Sequence, residues 1–226
     1  MRVRMKFTKL GSIKYIGHLD LMRYFQKLMR RSDIPIAYSN GMSPHQIMSF
    51  ALPLGIGDES IGEYADIELT GSVSSTEALL RLQEHSAEGI RILSFRELPD
   101  DAKNAMASVE AADYEIRSDD FPEDIQSAFP DFMNREQIMV CKNTKKSSNI
   151  IDIRPFIFDY AFQNDALTLR LKCGSVNNTK PELVMQAFHE YLNTDFDEYK
   201  LKIKRIDLLT LVNDRFVSLN DIGREI

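Results

Sequence analysis

The sequence has little cysteine and no long apolar run. Its 226 residues include only 2 cysteines, Cys141 and Cys173, which lie far apart and in no Cys/His pattern that holds zinc. A disulfide scaffold is therefore excluded, and a reducing cytoplasm is the expected location. No stretch reaches 18 consecutive apolar residues, and the N-terminal segment is charged throughout. We therefore expect neither a membrane span nor a secretory signal.

Several signatures of catalysis are also missing. The chain has no GxxxxGK[ST] phosphate loop, no HExxH metal motif and no GxSxG nucleophile turn. Gly55 and Gly57 precede no predicted helix, so they do not form a dinucleotide loop. Two cysteines are too few for the three ligands of a radical iron–sulfur cluster. The sequence therefore predicts no cofactor and no metal site.

The formal net charge of -6 is unevenly distributed along the chain. Residues 1–50 carry 9 basic and 2 acidic side chains, whereas residues 51–136 carry 6 basic and 20 acidic ones. A local basic region on an acidic protein still attracts phosphates, because salt screens charges beyond about 8 to 10 Å. The basic start of the chain indicates either a phosphate contact or a charged strand and helix that balance the acidic stretch after folding.

Hydrophobic periodicity predicts a regular order of elements in the first half. Alternation from Val3 to Phe7 predicts a strand, and apolar residues spaced by three and four predict a helix over His18–Arg31. A helix starting at Ser74 and Ser75 is predicted next to three further strands, over Ile47–Leu52, Tyr64–Leu69 and Ile90–Leu98. The order strand, helix, strand, strand, helix, strand is the split βαβ, or ferredoxin-like, order.

A similar order recurs in the second half. The predicted helices are Glu123–Phe132 and Pro181–Leu192, and the predicted strands are Tyr114–Arg117, Gln137–Cys141, Ile150–Asp159, Ala166–Cys173 and Tyr199–Leu211. A basic turn is predicted over residues 143–149. The sequence therefore predicts the α+β class, with two tandem ferredoxin-like domains and antiparallel sheets. The predicted limits are 1–98 for the first domain, 99–112 for a linker and 113–226 for the second, diverged domain.

Candidate catalytic residues crowd the segment after the first strand. His18 and Asp20 begin the predicted helix, and His45 stands in a loop stiffened by proline. We take these three as candidate acid–base groups. The alternative for Asp20 is structural, because an aspartate complements the positive end of the helix dipole and pairs with Arg23. No serine or cysteine nucleophile completes a triad.

The first helix also supplies the candidate nucleic-acid-binding residues. They are Arg23, Lys27, Arg30 and Arg31. Basic side chains bind the phosphate backbone by contacts that do not depend on base sequence. The alternative interpretation is a solvated helix face.

The segment Lys6–Leu69 combines the motifs HLDLMR, RR, YS, PH, SFA and EY, and IDIRP follows in the second half. These motifs resemble the radical-SAM-linked protein family, whose conserved domain of unknown function occurs alone or fused to cobalamin-binding radical SAM proteins. One loop departs from the family's usual Gly-Phe-Asn-Pro-His-Pro, since this chain has Met42, Ser43 and Gln46 there. His45 matches the family.

The resemblance implies no established reaction. It implies an accessory protein that recognises RNA or a ribonucleoprotein during RNA modification or processing, with RNA and a radical SAM enzyme as expected partners. Two alternatives stay open. One is a hydrolase or other enzyme that uses His18, Asp20 and His45, and the other is an adaptor that docks on a radical SAM enzyme through the acidic stretch 51–136.

Overall fold

The computed structural model describes residues 1–143, 148–174 and 177–226. The architecture is mixed α+β, with five α-helices among these residues and mostly antiparallel strand pairing. This confirms the predicted α+β class with mostly antiparallel pairing, while the tandem ferredoxin-like arrangement stays a prediction. The predicted basic turn at 143–149 centres on positions outside the described residues.

The chain forms two compact units, called here the first unit and the second unit. The first unit contains residues 1–110 and 205–226, and the second contains residues 111–204. The predicted second domain, residues 113–226, has other limits, and the predicted domain limits stay a prediction.

The first unit contains the elements predicted for the N-terminal half, in the predicted order. Its helices and strands are β1 (Arg2–Lys9), α1 (His18–Arg31), β2 (Met48–Phe50), β3 (Glu59–Glu68), α2 (Ser75–Glu84), β4 (Ile92–Glu97), α3 (Ala105–Ser108), most of β10 (Lys202–Val212) and β11 (Arg215–Ser218). Strand β1 pairs with β3 and β4, and β3 pairs with β2, all antiparallel. Strand β10 pairs with β3 and with β11.

The hydrophobic core of the first unit lies between α1 and β1. Alternate residues of β1 from Val3 to Phe7 are fully buried, and the rings of Phe7 and Phe25 have centroids 4.5 Å apart. Leu19 belongs to the apolar spacing of three and four residues that predicts α1, but Leu19 is 65% exposed and Leu21 is buried instead. Positions 21, 25 and 28 share one helix face, which explains the correction.

The other face of β1 is not the half-exposed basic surface that alternation predicts. The Arg4 side chain is only 2% exposed and donates two hydrogen bonds to the Asp66 carboxylate, at 2.7 and 2.9 Å. Asp66 also accepts the backbone N–H of Ala105 at 2.7 Å. This buried pair therefore fixes the start of α3, a short helix inside the segment predicted as a linker.

The C-terminal residues pack within the first unit. The backbone N–H of Ser75 donates to the carbonyl of Ile226 at 2.6 Å, at the start of α2. Glu97 and Arg224 exchange two backbone hydrogen bonds, at 2.8 and 3.0 Å. These contacts link the end of the chain to α2 and β4.

The second unit has more strands than the sequence predicts. Its elements are β5 (Ala111–Arg117), α4 (Ile125–Met133), β6 (Met139–Asn143), β7 (Ser148–Asp152), β8 (Ile157–Gln163), β9 (Ala166–Lys172), α5 (Pro181–Leu192) and the first residues of β10. Strand β9 pairs antiparallel with β5 and β8, while β6 and β7 form a separate antiparallel pair.

The single strand predicted over Ile150–Asp159 is wrong. A 3-10 turn at Arg154–Phe156 divides it into β7 and β8. Pro155 has no backbone N–H to donate to a neighbouring strand. The Asp152 carboxylate accepts the backbone N–H of Arg154 at 3.0 Å, which turns the chain. The alternating pattern continued through this turn and concealed the break.

A buried histidine makes the stability of the second unit depend on pH. Burial lowers the pKa of His189, an effect that a hydrogen bond donated by the ring to the backbone of Asp195 and the negative charge of Asp120 oppose. Its Nδ1 atom lies 2.9 Å from the Thr194 hydroxyl. An unfolded histidine takes up its proton near pH 6.5, above the pKa of the folded state. The stabilisation is therefore complete above about pH 6.5 and is lost as the pH falls toward the folded-state pKa.

We expect the melting temperature to fall between pH 7 and pH 5 by more in the wild type than in His189→Gln. The exposed His85 provides the control, and His85→Gln should keep the wild-type pH dependence. Parallel curves for the wild type and His189→Gln would contradict the expectation.

Candidate functional site

An open groove of about 550 Å³ runs beside α1 in the first unit, and is called here the α1 groove. Its lining residues are Asp20, Arg23, Tyr24, Lys27, Arg31, His85, Ser86 and Ala87. Each of those from α1 has another of them three or four residues away, so they share one side of the helix. Three of the four predicted nucleic-acid-binding residues therefore line one surface.

The core holds α1 in the orientation that presents this surface. The residues that α1 buries are Leu21, Phe25, Leu28 and Met29. On the groove side, the Tyr24 hydroxyl accepts the backbone N–H of Ala87 at 2.8 Å and so ties α1 to the segment after α2. His85 Nδ1 lies 2.9 Å from the carbonyl oxygen of Arg81. Because a carbonyl oxygen can only accept a hydrogen bond, Nδ1 is the donor. In the neutral ring, Nε2 is then left as an acceptor.

The groove contains two basic side chains that have no close carboxylate partner among the described residues. Arg23 pairs with Asp20 at 3.0 Å, and both side chains are about two-thirds exposed. Within the described ranges, no carboxylate oxygen lies within 4.0 Å of the Lys27 amine or the Arg31 guanidinium. Arg30 is exposed but does not line the groove, and its role stays a prediction.

His18 and Asp20 have different surroundings although they are two residues apart. The His18 ring packs edge-to-face on Phe50, with centroids 5.6 Å apart, and lines a small cavity next to the core. Asp20 lies at the α1 groove with Arg23 as its partner. The structure thus assigns these two candidates to different surfaces.

His45 belongs to a third environment, in an exposed loop. The Ser39 hydroxyl accepts the backbone N–H of His45 at 3.1 Å and lies 2.8 Å from its Nδ1 atom. These bonds close the loop, which is a sufficient structural role for His45. A catalytic site shared by His18, Asp20 and His45 stays a prediction.

Sequence reasoning missed a buried pair of charged residues in the first unit. Arg205 of β10 donates to the Glu63 carboxylate from Nε at 2.9 Å and from Nη2 at 2.6 Å. The Arg205 and Glu63 side chains are only 1% and 6% exposed. Arg205 also donates to the carbonyl of Leu52 at 2.7 Å. The pair anchors the loop that follows β2 to the sheet.

The sequence does contain a signal for buried charged residues such as Glu63. Glu63 has the same alternation phase as Ala65 and Ile67, which are buried core residues of β3. Lys9 likewise follows the buried apolar residues Val3, Met5 and Phe7 at the same two-residue spacing, and it is buried too. A charged residue in an apolar phase indicates a buried ionic group.

The described part of the chain contains no group of three or more His, Cys, Asp or Glu side chains that could hold a metal ion. Within the same residues, no helix is both long and apolar enough to cross a membrane.

The profile of one protein family matches residues 2–181, which is most of the chain. Its members are described as uncharacterized proteins conserved in bacteria, DUF2344. The chain belongs to this family. Membership confirms the predicted conserved domain of unknown function and leaves the link to radical SAM enzymes as a proposal.

Other comparisons add little. A search of curated proteins found no match. Among solved structures, a similar chain is that of a heavy metal efflux pump, described as crystal form II, with 9% sequence identity and a TM-score of 0.25. The alignment covers 92% of this chain and only 28% of the pump. A likeness with so low a TM-score carries no argument about fold or function.

Proposed function

We propose that this DUF2344 protein binds RNA, or a ribonucleoprotein, through the α1 groove. In this proposal it is a cytoplasmic accessory in RNA modification or processing, built from tandem ferredoxin-like domains, with a radical SAM enzyme as its protein partner. The observation that carries the proposal is the cluster of basic side chains in the groove, two of which have no carboxylate within 4.0 Å among the described residues.

The spacing of these charges suits a phosphate backbone. Arg23, Lys27 and Arg31 are four residues apart, so successive residues are offset by about 6 Å along the helix axis and the set extends over about 12 Å. Successive phosphates of one duplex strand rise about 3.4 Å. The groove is therefore long enough to contact more than one phosphate.

The acidic character of the whole chain does not oppose this proposal. Attraction to a polyanion depends on the field within about one Debye length, roughly 8 Å at physiological salt. Lys27 and Arg31, which have no carboxylate within 4.0 Å in the described part of the chain, supply that field. The half-buried Tyr24 adds an aromatic ring to the lining, and aromatic rings stack on unpaired bases in complexes with single-stranded RNA.

The first test is crosslinking of the tagged full-length protein in its native cell, followed by sequencing of the recovered RNA. The wild type is expected to enrich a defined RNA, and a Lys27→Ala/Arg31→Ala variant is expected to lose it. The control is Arg91→Ala/Arg215→Ala, which removes the same charge from two exposed positions of the first unit outside the groove. Equal recovery by all three proteins would contradict a role for the groove. A radical SAM enzyme that co-purifies without RNA would favour the adaptor alternative.

A further inference from the structure

The last residue of β1 is a buried lysine, Lys9. Lys9 is only 2% exposed. In the part of the chain that the structure describes, its amine has no hydrogen-bond acceptor within 3.5 Å and no carboxylate oxygen within 4.0 Å. The nearby Glu63 carboxylate is bound by Arg205 at 2.6 Å. Burying an ammonium group without a bound anion is costly.

Lys9 lines a cavity of about 10 Å³ together with His18 and Glu63. This volume accepts one water-sized group, such as a single oxygen atom of a ligand. The cavity is covered by Leu52, Pro53 and Leu54. Arg205 holds the Leu52 carbonyl at 2.7 Å, but residues 53–56 form no backbone hydrogen bond within the described chain. We therefore expect Pro53 and Leu54 to move aside at low cost while Leu52 stays in place.

Helix α1 begins at the same cavity with free backbone donors. Its N-cap residue is Gly17, which has no side chain that could accept a hydrogen bond. Among the described residues, the backbone N–H groups of His18, Leu19 and Asp20 have no acceptor. These groups form the positive end of a 14-residue helix. A Cβ added at Gly17 would meet no atom within 4 Å, so the approach to these donors is open.

We infer that Lys9 and the start of α1 form a binding site for a phosphate group, separate from the α1 groove. One phosphate oxygen would enter the cavity and pair with the Lys9 ammonium, while others accept backbone N–H groups of residues 18–20. His18 lines the same cavity and supplies a further ring donor. The site would accept a phosphorylated small molecule or the terminal phosphate of an RNA.

The electrostatics of the site agree with this arrangement. Burial lowers the pKa of Lys9, Arg205 adds to that effect, and the charges of Glu63 and Asp58 oppose it. The protein therefore leaves the Lys9 ammonium incompletely stabilised. A bound dianion would supply the missing compensation.

The test is a titration of the full-length, ¹⁵N-labelled protein with inorganic phosphate. Binding is monitored by NMR through the backbone amide signals of His18, Leu19 and Asp20. We expect saturable shifts of these signals in the wild type. Lys9→Met should weaken binding about tenfold or more, because it removes a charged hydrogen bond. Lys6→Met should bind like the wild type, since Lys6 lies on the same strand but pairs with Asp207 at 3.1 Å.

A second variant separates binding from stability. Gly17→Asp places a capping carboxylate where the phosphate would bind, so it should keep or raise the melting temperature while it abolishes phosphate binding. Gly17→Ala adds no cap and should retain binding. Wild-type affinity in Lys9→Met and Gly17→Asp, or no saturable shift in the wild type, would overturn the inference.

The same titration tests which kind of phosphate compound binds at Lys9, and whether this site binds phosphate independently of the α1 groove. Nucleoside 5′-monophosphate and 5′-phosphorylated RNA should both shift the His18–Asp20 signals. In the Lys27→Ala/Arg31→Ala variant, whose groove is expected not to hold RNA, 5′-hydroxyl RNA should leave these signals unshifted. The Lys27→Ala/Arg31→Ala variant should bind inorganic phosphate like the wild type. This outcome distinguishes failure of the RNA proposal from failure of the phosphate site.

Discussion

Replacing Glu63 by glutamine is expected to lower the free energy of unfolding by about 3–5 kcal/mol. The substitution keeps the size of the side chain but removes the negative charge that three hydrogen-bond contacts join to Arg205. The Arg205 guanidinium, only 1% exposed, would then be buried without an opposite charge. Glu63 also favours the charged form of Lys9, so its loss leaves two buried cations less compensated. Equilibrium unfolding in urea measures the effect.

An exposed ion pair of the same unit provides the control. Asp20 pairs with Arg23 and both side chains are about two-thirds exposed, so Asp20→Asn should change the free energy of unfolding by less than about 1 kcal/mol. A double variant, Glu63→Leu/Arg205→Met, removes both members of the buried pair and should recover part of the loss. Equal effects of Glu63→Gln and Asp20→Asn would contradict the account of the buried pair.

Removal of the charges of Lys27 and Arg31 from the α1 groove is expected to change the salt dependence of RNA binding. Each phosphate contact with single-stranded nucleic acid contributes about 0.7 to the slope of log K against log salt concentration. Lys27→Ala/Arg31→Ala should therefore lower the magnitude of the slope by about 1.4 and, at 0.1 M salt, the affinity by about 25-fold. Fluorescence anisotropy with a mixed-sequence single-stranded RNA measures both quantities.

The matched variant Arg91→Ala/Arg215→Ala removes the same charge outside the groove. Because these side chains make no proposed contact with RNA, the slope should stay at its wild-type value. An identical change in slope for both variants would mean that binding follows the total charge rather than the groove.

The sequence predicts helix limits best where the apolar spacing of three and four residues stops close to a proline. The limits of α1, His18–Arg31, were predicted because the apolar spacing ends just before Ile34 and Pro35. The hairpin of β10 and β11 was missed, although Asn213 and Asp214 adopt the left-handed conformation, with φ values of 49° and 60°. Such a residue pair is typical of a two-residue hairpin turn. The long alternating pattern before it concealed the turn.

The α1 groove is only partly predictable from the sequence. Helical spacing brought Arg23, Lys27 and Arg31 together, because side chains four residues apart share a helix face. The contributions of His85 and Ala87 depend on how the end of α2 packs beside α1, which is a tertiary contact without a local sequence signal. The phosphate site at Lys9 likewise joins two segments that only the fold brings to one cavity.

The measurement that tests the central claim most directly is the mapping of ultraviolet crosslinks between RNA and the full-length protein. The account predicts nucleotide adducts on the tryptic peptide Tyr24–Lys27 and on the segment that contains His85, because both line the α1 groove. Adducts confined to the second unit, residues 111–204, would contradict the claim that this groove binds RNA.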